Sequence, residues 1–303
     1  MTRDSSPKNS RRGNKGVSNE KNKIEKSTLY LVGTPIGNLS DLSERAKKTL
    51  AEVDFIACED TRNSQKLLTL FGIRKETVSY HEHNKRQSGE RIVARLLGGE
   101  SCALVTDAGM PAVSDPGEDI VKLCAEAGIT VTTVPGPTAL ISALALSALC
   151  TSKFCFEGFL SAKQSEKEKR LSELKSERRT VIYYEAPHKL KDTLSAMASI
   201  LGEGRRIAIC RELTKLNEEI HRTTLAQAVA YYAENEPRGE YVLVVDGADE
   251  ELLSEENPLL KLSEEEHVSH YEKEGLRRMD AIKAAAKDRG LSKSELYAIL
   301  NKQ

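Results

Sequence analysis

Three short loops of glycine, proline and other small residues each follow a strand-like apolar run, and that recurrence constrains the fold most tightly. The segment LVGTPIG, residues 31–37, breaks from an apolar run at 29–32 into two glycines, a proline and Asn38. ALVTDAGMPAVSDPG, residues 103–117, leaves a strand-like run at 102–106, and TVTTVPGPTAL, residues 130–140, leaves one at 129–134. Glycine lets main chain approach a small ligand without a side chain in the way. Open α/β sheets bind ligands at the carboxyl ends of their strands. The pattern points to an α/β enzyme.

Between residues 28 and 247 strands and helices alternate. Asp41-Leu42-Ser43-Glu44 opens a helix with Leu42, Ala46 and Leu50 on one face, and 53–58 is the next strand. Helices follow at 63–71, stopped by Gly72, at 91–97 and at 119–127, with a strand near 77–80. The small-residue run 139–150 reads as a buried helix. In the second half, strands are expected at 154–159, 181–184, 207–210, 218–222 and 241–245. Ser161 to Gln164 and Thr224 to Gln227 read as capping boxes, and a further helix runs to Leu201 before Gly202. Three short helical patterns close the chain, with Gly275 and Gly290 between them. Ala281, Ile282, Ala285, Ala286, Leu291 and Leu296 are spaced for a small helix-turn-helix packing. The expected organisation is a disordered basic tail (1–27), two α/β domains (28–137 and 138–247), an acidic linker (248–262) and a helical domain (263–303).

Composition excludes several classes. The net charge of −1 argues against wholesale wrapping of nucleic acid, so any polyanion site is a local patch. No apolar run reaches the roughly 18 residues of a membrane span, and the N-terminus lacks the apolar stretch of a secretory signal. The expected location is cytoplasmic, with no membrane partner. The six cysteines show no CxxC and no ligand-like spacing, which reads as buried reduced thiols and no metal site.

The ordered set LVGTPIGNLSDL, AEVDFIACEDTRNS, YHEHN, VTDAGMPAVSDPG, VPGPTAL, EGFL, YEAPHKL and RELTKLNEE resembles the tetrapyrrole methylase superfamily over about residues 28–247. Within it the set is similar to the branch that methylates the 2′-oxygen of a cytidine in the decoding region of 16S rRNA. The resemblance implies two α/β domains closing on S-adenosylmethionine, a homodimer, and the small ribosomal subunit as substrate. It assigns cofactor contacts to Ile36, to Ala108, Gly109, Met110 and Val113, to Thr138 and Ala139, to Glu185 and to Leu213. Porphyrinoid-modifying members carry Asp where this chain has Met110. That departure argues against the alternative of a corrin or sirohaem precursor as substrate. A second alternative, a non-catalytic RNA-binding factor, fits poorly with the intact Gly33, Gly37, Gly109 and Gly136.

Methyl transfer from a sulfonium is an in-line displacement in which the protein supplies alignment. A ribose hydroxyl is a poor acid, so a base or a cation beside it helps. Candidates sit in two loops: Glu59, Asp60 and Arg62 in CEDTR, and His81, His83 and Asn84 in YHEHN. Lys189 and Lys215 are candidate RNA contacts beside the cleft motifs. Each has a plainer reading. Glu59 and Asp60 fit a helix cap, Arg62 a pair with Asp60, His81 a histidine bonded to backbone, and the two lysines solvated charges.

Overall fold

The computed structural model describes residues 23–248 and 258–301. Most of the expected basic tail (residues 1–22) and of the acidic linker (249–257) lies outside the described residues. The chain divides into two compact units. The first runs to Gly33 and continues through Ser43–Asp107 and Pro111–Pro135; the second takes Thr34–Leu42, Ala108–Met110 and everything from Gly136 onward.

The first unit alternates β1 (Thr28–Val32), α1 (Glu44–Glu52), β2 (Phe55–Cys58), α2 (Thr61–Leu70), β3 (Glu76–Ser79), α3 (Lys85–Leu97), β4 (Cys102–Val105), α4 (Gly117–Glu126) and β5 (Thr130–Val134). The strands form one sheet in the order β3-β2-β4-β1-β5, every pair parallel. FIAC and CALV, the central β2 and β4, are buried at every residue, as strands covered on both faces must be. Phe55, Ala57 and Leu104 pack with Ile92 and Leu96 of α3 and Ile120 and Cys124 of α4. From β1 the chain passes over β4 to β2, whereas from β4 it passes over β1 to β5. The switch point therefore lies between β1 and β4, where such sheets open a crevice.

The second unit contains α5 (Ala139–Leu146), β6 (Phe154–Phe159), α6 (Gln164–Glu173), β7 (Thr180–Glu185), α7 (Leu190–Leu201), β8 (Arg206–Arg211), β9 (Glu219–Thr224), α8 (Leu225–Glu234) and β10 (Tyr241–Val245). Its sheet has the order β6-β7-β10-β8-β9, with β6 parallel to β7 and the other pairs antiparallel. Side chains alternate across it with period two. Val181, Tyr183, Ile207, Ile209 and Leu243 face Leu171, Leu194, Met197 and Leu225 of the outer helices. Ile182, Ala208, Cys210, Val242 and Val244 face Leu140 and Leu144 of α5.

Three further helices, α9 (Glu264–Lys273), α10 (Arg278–Asp288) and α11 (Lys293–Leu300), enclose Val268, Ala281, Ile282, Ala285, Ala286 and Leu296. Capping boxes at Ser263 and Ser292 start the outer two. Between the helices the buried His267 ring stacks on Tyr271, bonds Asp288 and accepts from Arg289 Nε.

Two local expectations need correction. Helix α3 begins six residues before Arg91, because its first turns pack through small residues rather than an apolar stripe. Ser88 and Gly89 are buried, and a Cβ at Gly89 would stand 2.9 Å from the Leu123 side chain. The Ser161 capping box does not form. Helix α6 starts at Gln164 with no side-chain cap, and the Ser161 hydroxyl instead donates to Glu166.

Candidate active site

All five strands of the first sheet point the same way, so every loop after a strand leaves one edge. Because β4, β1 and β5 are neighbours, the three glycine- and proline-bearing loops leave adjacent strand ends. The tips of two of them, Thr34–Leu42 and Ala108–Met110, belong to the second unit. There Thr34 and Gly109 exchange backbone hydrogen bonds of 2.9 and 3.2 Å. Gly109 needs its glycine because its φ is +86°; a Cβ there would make only ordinary contact with Ile36 Cγ2 at 3.4 Å and Pro137 O at 3.5 Å.

Four stretches far apart in sequence meet in that unit. Ile36 and Ala139 pack against the cluster that holds Leu140 and Leu213. Met110 Sδ accepts from Gly136 N at 3.2 Å. Thr138 is the N-cap residue of α5, yet its hydroxyl donates to Gly136 O and caps no helix amide. Gly37 brings main chain against the turn after β8, where a Cβ would lie 2.4 Å from Lys215 Cγ and 2.8 Å from Thr214 Oγ1. The result is an apolar patch of the partly buried Ile36 and Ala139 over the buried Leu213, edged by backbone polar groups. Such a surface fits a ligand with apolar and hydrogen-bonding parts.

The first unit holds the acidic and histidine loops. Burial pushes the Glu59 carboxyl up from its ordinary value, the like charges of Asp107 and Asp115 push it further, and His81 pulls the other way. Asp60 is the N-cap of α2: it accepts from Arg62 N at 2.8 Å and pairs with the exposed Arg62 guanidinium at 3.2 Å. Both plainer readings of Asp60 are thus realised. Arg62 also lines an open groove of about 710 Å³ with Thr61, Gln65, Lys66, Thr69 and Thr77 among its walls. His81 is half-buried, and its Nδ1 has no hydrogen-bond partner among the described residues. Unpartnered buried nitrogens are rare. Asn84 shapes the loop from within, accepting from His81 N at 2.8 Å and donating to Ser79 O.

Other expected residues fall differently. Glu185 is 4% exposed, with Oε2 accepting from Thr193 Oγ1 at 2.6 Å and Oε1 from Ala186 N at 2.9 Å. Its carboxylate is turned into the protein. The Lys215 ammonium is held by Glu212 and Glu240, each at 2.8 Å. Lys189 is the N-cap residue of α7, Ala108 is exposed, and Val113 is 43% exposed.

Some organising residues carried no usable sequence signal. Asp115 collects the backbone N–H groups of Ala112, Val113 and Gly117, and thereby holds Ala112 and Ser114 at φ +68° and +63°. Asp107 accepts from Asn63 at 3.0 Å. Asp-Pro-Gly is a common turn sequence, but it does not say which amides the carboxylate gathers.

Residues 28–229 match the family model described as Tetrapyrrole (Corrin/Porphyrin) Methylases. A ribosomal RNA small subunit methyltransferase I from Halalkalibacterium halodurans is 47% identical over 279 residues, covering 92% of this chain and 96% of that one. The protein of the same name from Bacillus subtilis is 48% identical, covering 91% and 94%. The chain belongs to the tetrapyrrole methylase family, in the ribosomal RNA small subunit methyltransferase I branch. It is thus an S-adenosylmethionine-dependent methyltransferase. The fold agrees with solved members of the family. Uroporphyrin-III-C-methyltransferase from Thermus thermophilus superposes with a TM-score of 0.52 at 18% identity, covering 72% of this chain and 94% of that one. The cobalamin biosynthetic cobalt precorrin-4 methyltransferase gives 0.52 at 17%, covering 73% and 95%. Among the described residues no helix is long and apolar enough to cross a membrane.

Proposed function

We propose that this methyltransferase modifies the ribose 2′-oxygen of a cytidine in the decoding region of 16S rRNA, acting as a homodimer on the assembled or nearly assembled small subunit. The observation that carries the reading is the 47–48% identity to ribosomal RNA small subunit methyltransferases I over nine-tenths of both chains. A porphyrinoid substrate is the weaker reading. The position that bears Asp in porphyrinoid-modifying members is here Met110, whose sulfur is engaged by Gly136 N.

In this reading the second unit holds the methyl donor. Ile36, Ala139 and Leu213 take its apolar parts, while main chain at Gly109 and at Thr138–Ala139 takes its polar ends. S-adenosylmethionine, when bound, supplies an electrophilic methyl group on a sulfonium. The acidic and histidine loops act on the acceptor. Glu59, whose carboxyl is raised from its ordinary value, takes the 2′-hydroxyl proton on a carboxylate oxygen. His81, on the neighbouring loop, orients the ribose, and Arg62 with Lys66 receives backbone phosphate in the groove they line. Lys189 remains a further RNA contact, whereas Asn84 and Lys215 act by shaping their loops. Supporting a dimer, α5 is apolar on all sides, with Ile141 49% and Leu146 37% exposed.

Mass mapping of 16S rRNA from a deletion strain tests the reading directly. A single decoding-region cytidine should lose its ribose methyl group and regain it on complementation. Unchanged rRNA methylation would end the proposal, and light scattering of the purified chain at monomer mass would remove the dimer.

A further inference from the structure

The turn between β8 and β9 carries Leu216, which is 99% exposed, the most exposed large apolar residue among the described ones. A lone exposed leucine needs no explanation. Its setting does, because this turn is tightly built. Glu212 and Thr214 are non-glycine residues held at φ +50° and +67°, a conformation that persists only where the surroundings over-determine it. Thr214 N donates to Glu218 Oε2 at 2.7 Å, Glu218 N to Lys215 O, and Glu240 N to Glu212 Oε1. The Lys215 ammonium bridges Glu212 and Glu240. A web of polar contacts thus fixes an apex whose outermost side chain is a bare leucine.

The base of the same turn is part of the donor-side patch. Leu213, three residues before the apex, packs with Ile36 and Ala139. Asn38 N donates to Thr214 Oγ1 at 3.2 Å, and Leu39 beside it is 46% exposed. Lys215, the residue before the apex, is already doubly paired, so the apex offers apolar contact rather than a phosphate grip.

We propose that Leu216 is an apolar wedge for RNA: it enters the base stack beside the target cytidine and holds that nucleotide turned out toward the donor site. The proposal rests on the rRNA-methyltransferase reading above. A nucleotide turned out of the stack, as enzymes acting on a base require, would present its ribose edge to the donor site, and apolar side chains inserted between bases stabilise the gap. A rigid apex suits this task, since a mobile one would be ordered anew at each encounter.

The test uses the full-length chain and small ribosomal subunits from a strain lacking the modification. Single-turnover methylation, S-adenosylmethionine affinity by calorimetry and thermal unfolding are measured on wild type, Leu216→Ala, Leu216→Met and Leu216→Lys. The alanine and lysine variants should methylate at least about tenfold more slowly, with donor affinity and melting temperature unchanged, while methionine stays within about threefold of wild type. Wild-type turnover by Leu216→Ala would overturn the wedge. So would recovery by lysine, which would make the contact electrostatic. A loss on particles that is absent on protein-free rRNA would assign Leu216 to a ribosomal protein and overturn it equally. Failure of the functional reading looks different: the wild-type protein itself would leave every rRNA form unmethylated.

Discussion

Replacing Thr193 by valine separates a structural Glu185 from a cofactor-binding one. Thr193 is fully buried on α7, and its hydroxyl donates to Glu185 Oε2 at 2.6 Å. Valine keeps the shape and removes the donor, leaving a buried carboxylate oxygen without its partner. Loss of a hydrogen bond to a charged group, with the desolvation penalty left behind, costs about 2–3 kcal/mol. In units of about 150–250 residues each kcal/mol moves the melting temperature by about 2–4 °C, so the expected fall is about 4–12 °C. Thr193→Ser, which restores the hydroxyl, should recover most of it. The assay is thermal unfolding with and without saturating S-adenosylmethionine. If Glu185 acts only inside the fold, the ligand-induced rise, about 2.7 kcal/mol at a hundredfold excess over the dissociation constant, is the same in variant and wild type. An unchanged melting temperature in Thr193→Val would refute the reasoning. A normal melting temperature with weakened donor binding would return Glu185 to the ligand.

Three further outcomes are expected. Gly109→Val places a branched side chain at φ +86° against Ile36, so donor affinity measured by calorimetry should fall at least about tenfold while circular dichroism stays native. Glu59 as proton acceptor must be ionised to work, and its carboxyl is raised by burial and like charges. The acidic limb of the single-turnover pH profile should therefore lie above the ordinary glutamate range and vanish in Glu59→Gln. The sign for stability is opposite: ionising a carboxyl whose folded-state value is raised disfavours the folded state as pH rises through it, so Glu59→Gln should melt no lower than wild type at pH 8. A normal profile in Glu59→Gln would remove the base assignment. Lys66→Ala should weaken particle binding and reduce the slope of log affinity against log salt by about one, with turnover at saturation retained; an unchanged slope would take phosphate out of the groove.

Much of the architecture was legible in the residues because short-range physics decides it. Continuous apolar runs such as FIAC and CALV, short and set between helical patterns, fit strands buried on both faces. The spacing of Ala281, Ile282, Ala285 and Ala286 reproduces the core of the helical tail, and Thr224 forms its capping box with Gln227 as its spacing predicts. Glycine, proline and small-residue punctuation also located the three loops that leave adjacent strand ends of the first sheet. Strand order was not legible, because nothing local says that β4 inserts between β1 and β2 and so makes the three loops neighbours. Nor could charge type reveal partnership. Lys215 and Glu185 read as groups available to a ligand, yet packing gives the first two carboxylates and the second a buried hydroxyl. The chain alone determined which elements form and where small residues open a backbone to a ligand, since both follow from steric and apolar patterns within a few residues. Only the tertiary structure decided which polar groups are spent on one another and which, like His81 Nδ1, have no partner among the described residues, since hydrogen-bond partners and desolvation are set by residues distant in sequence.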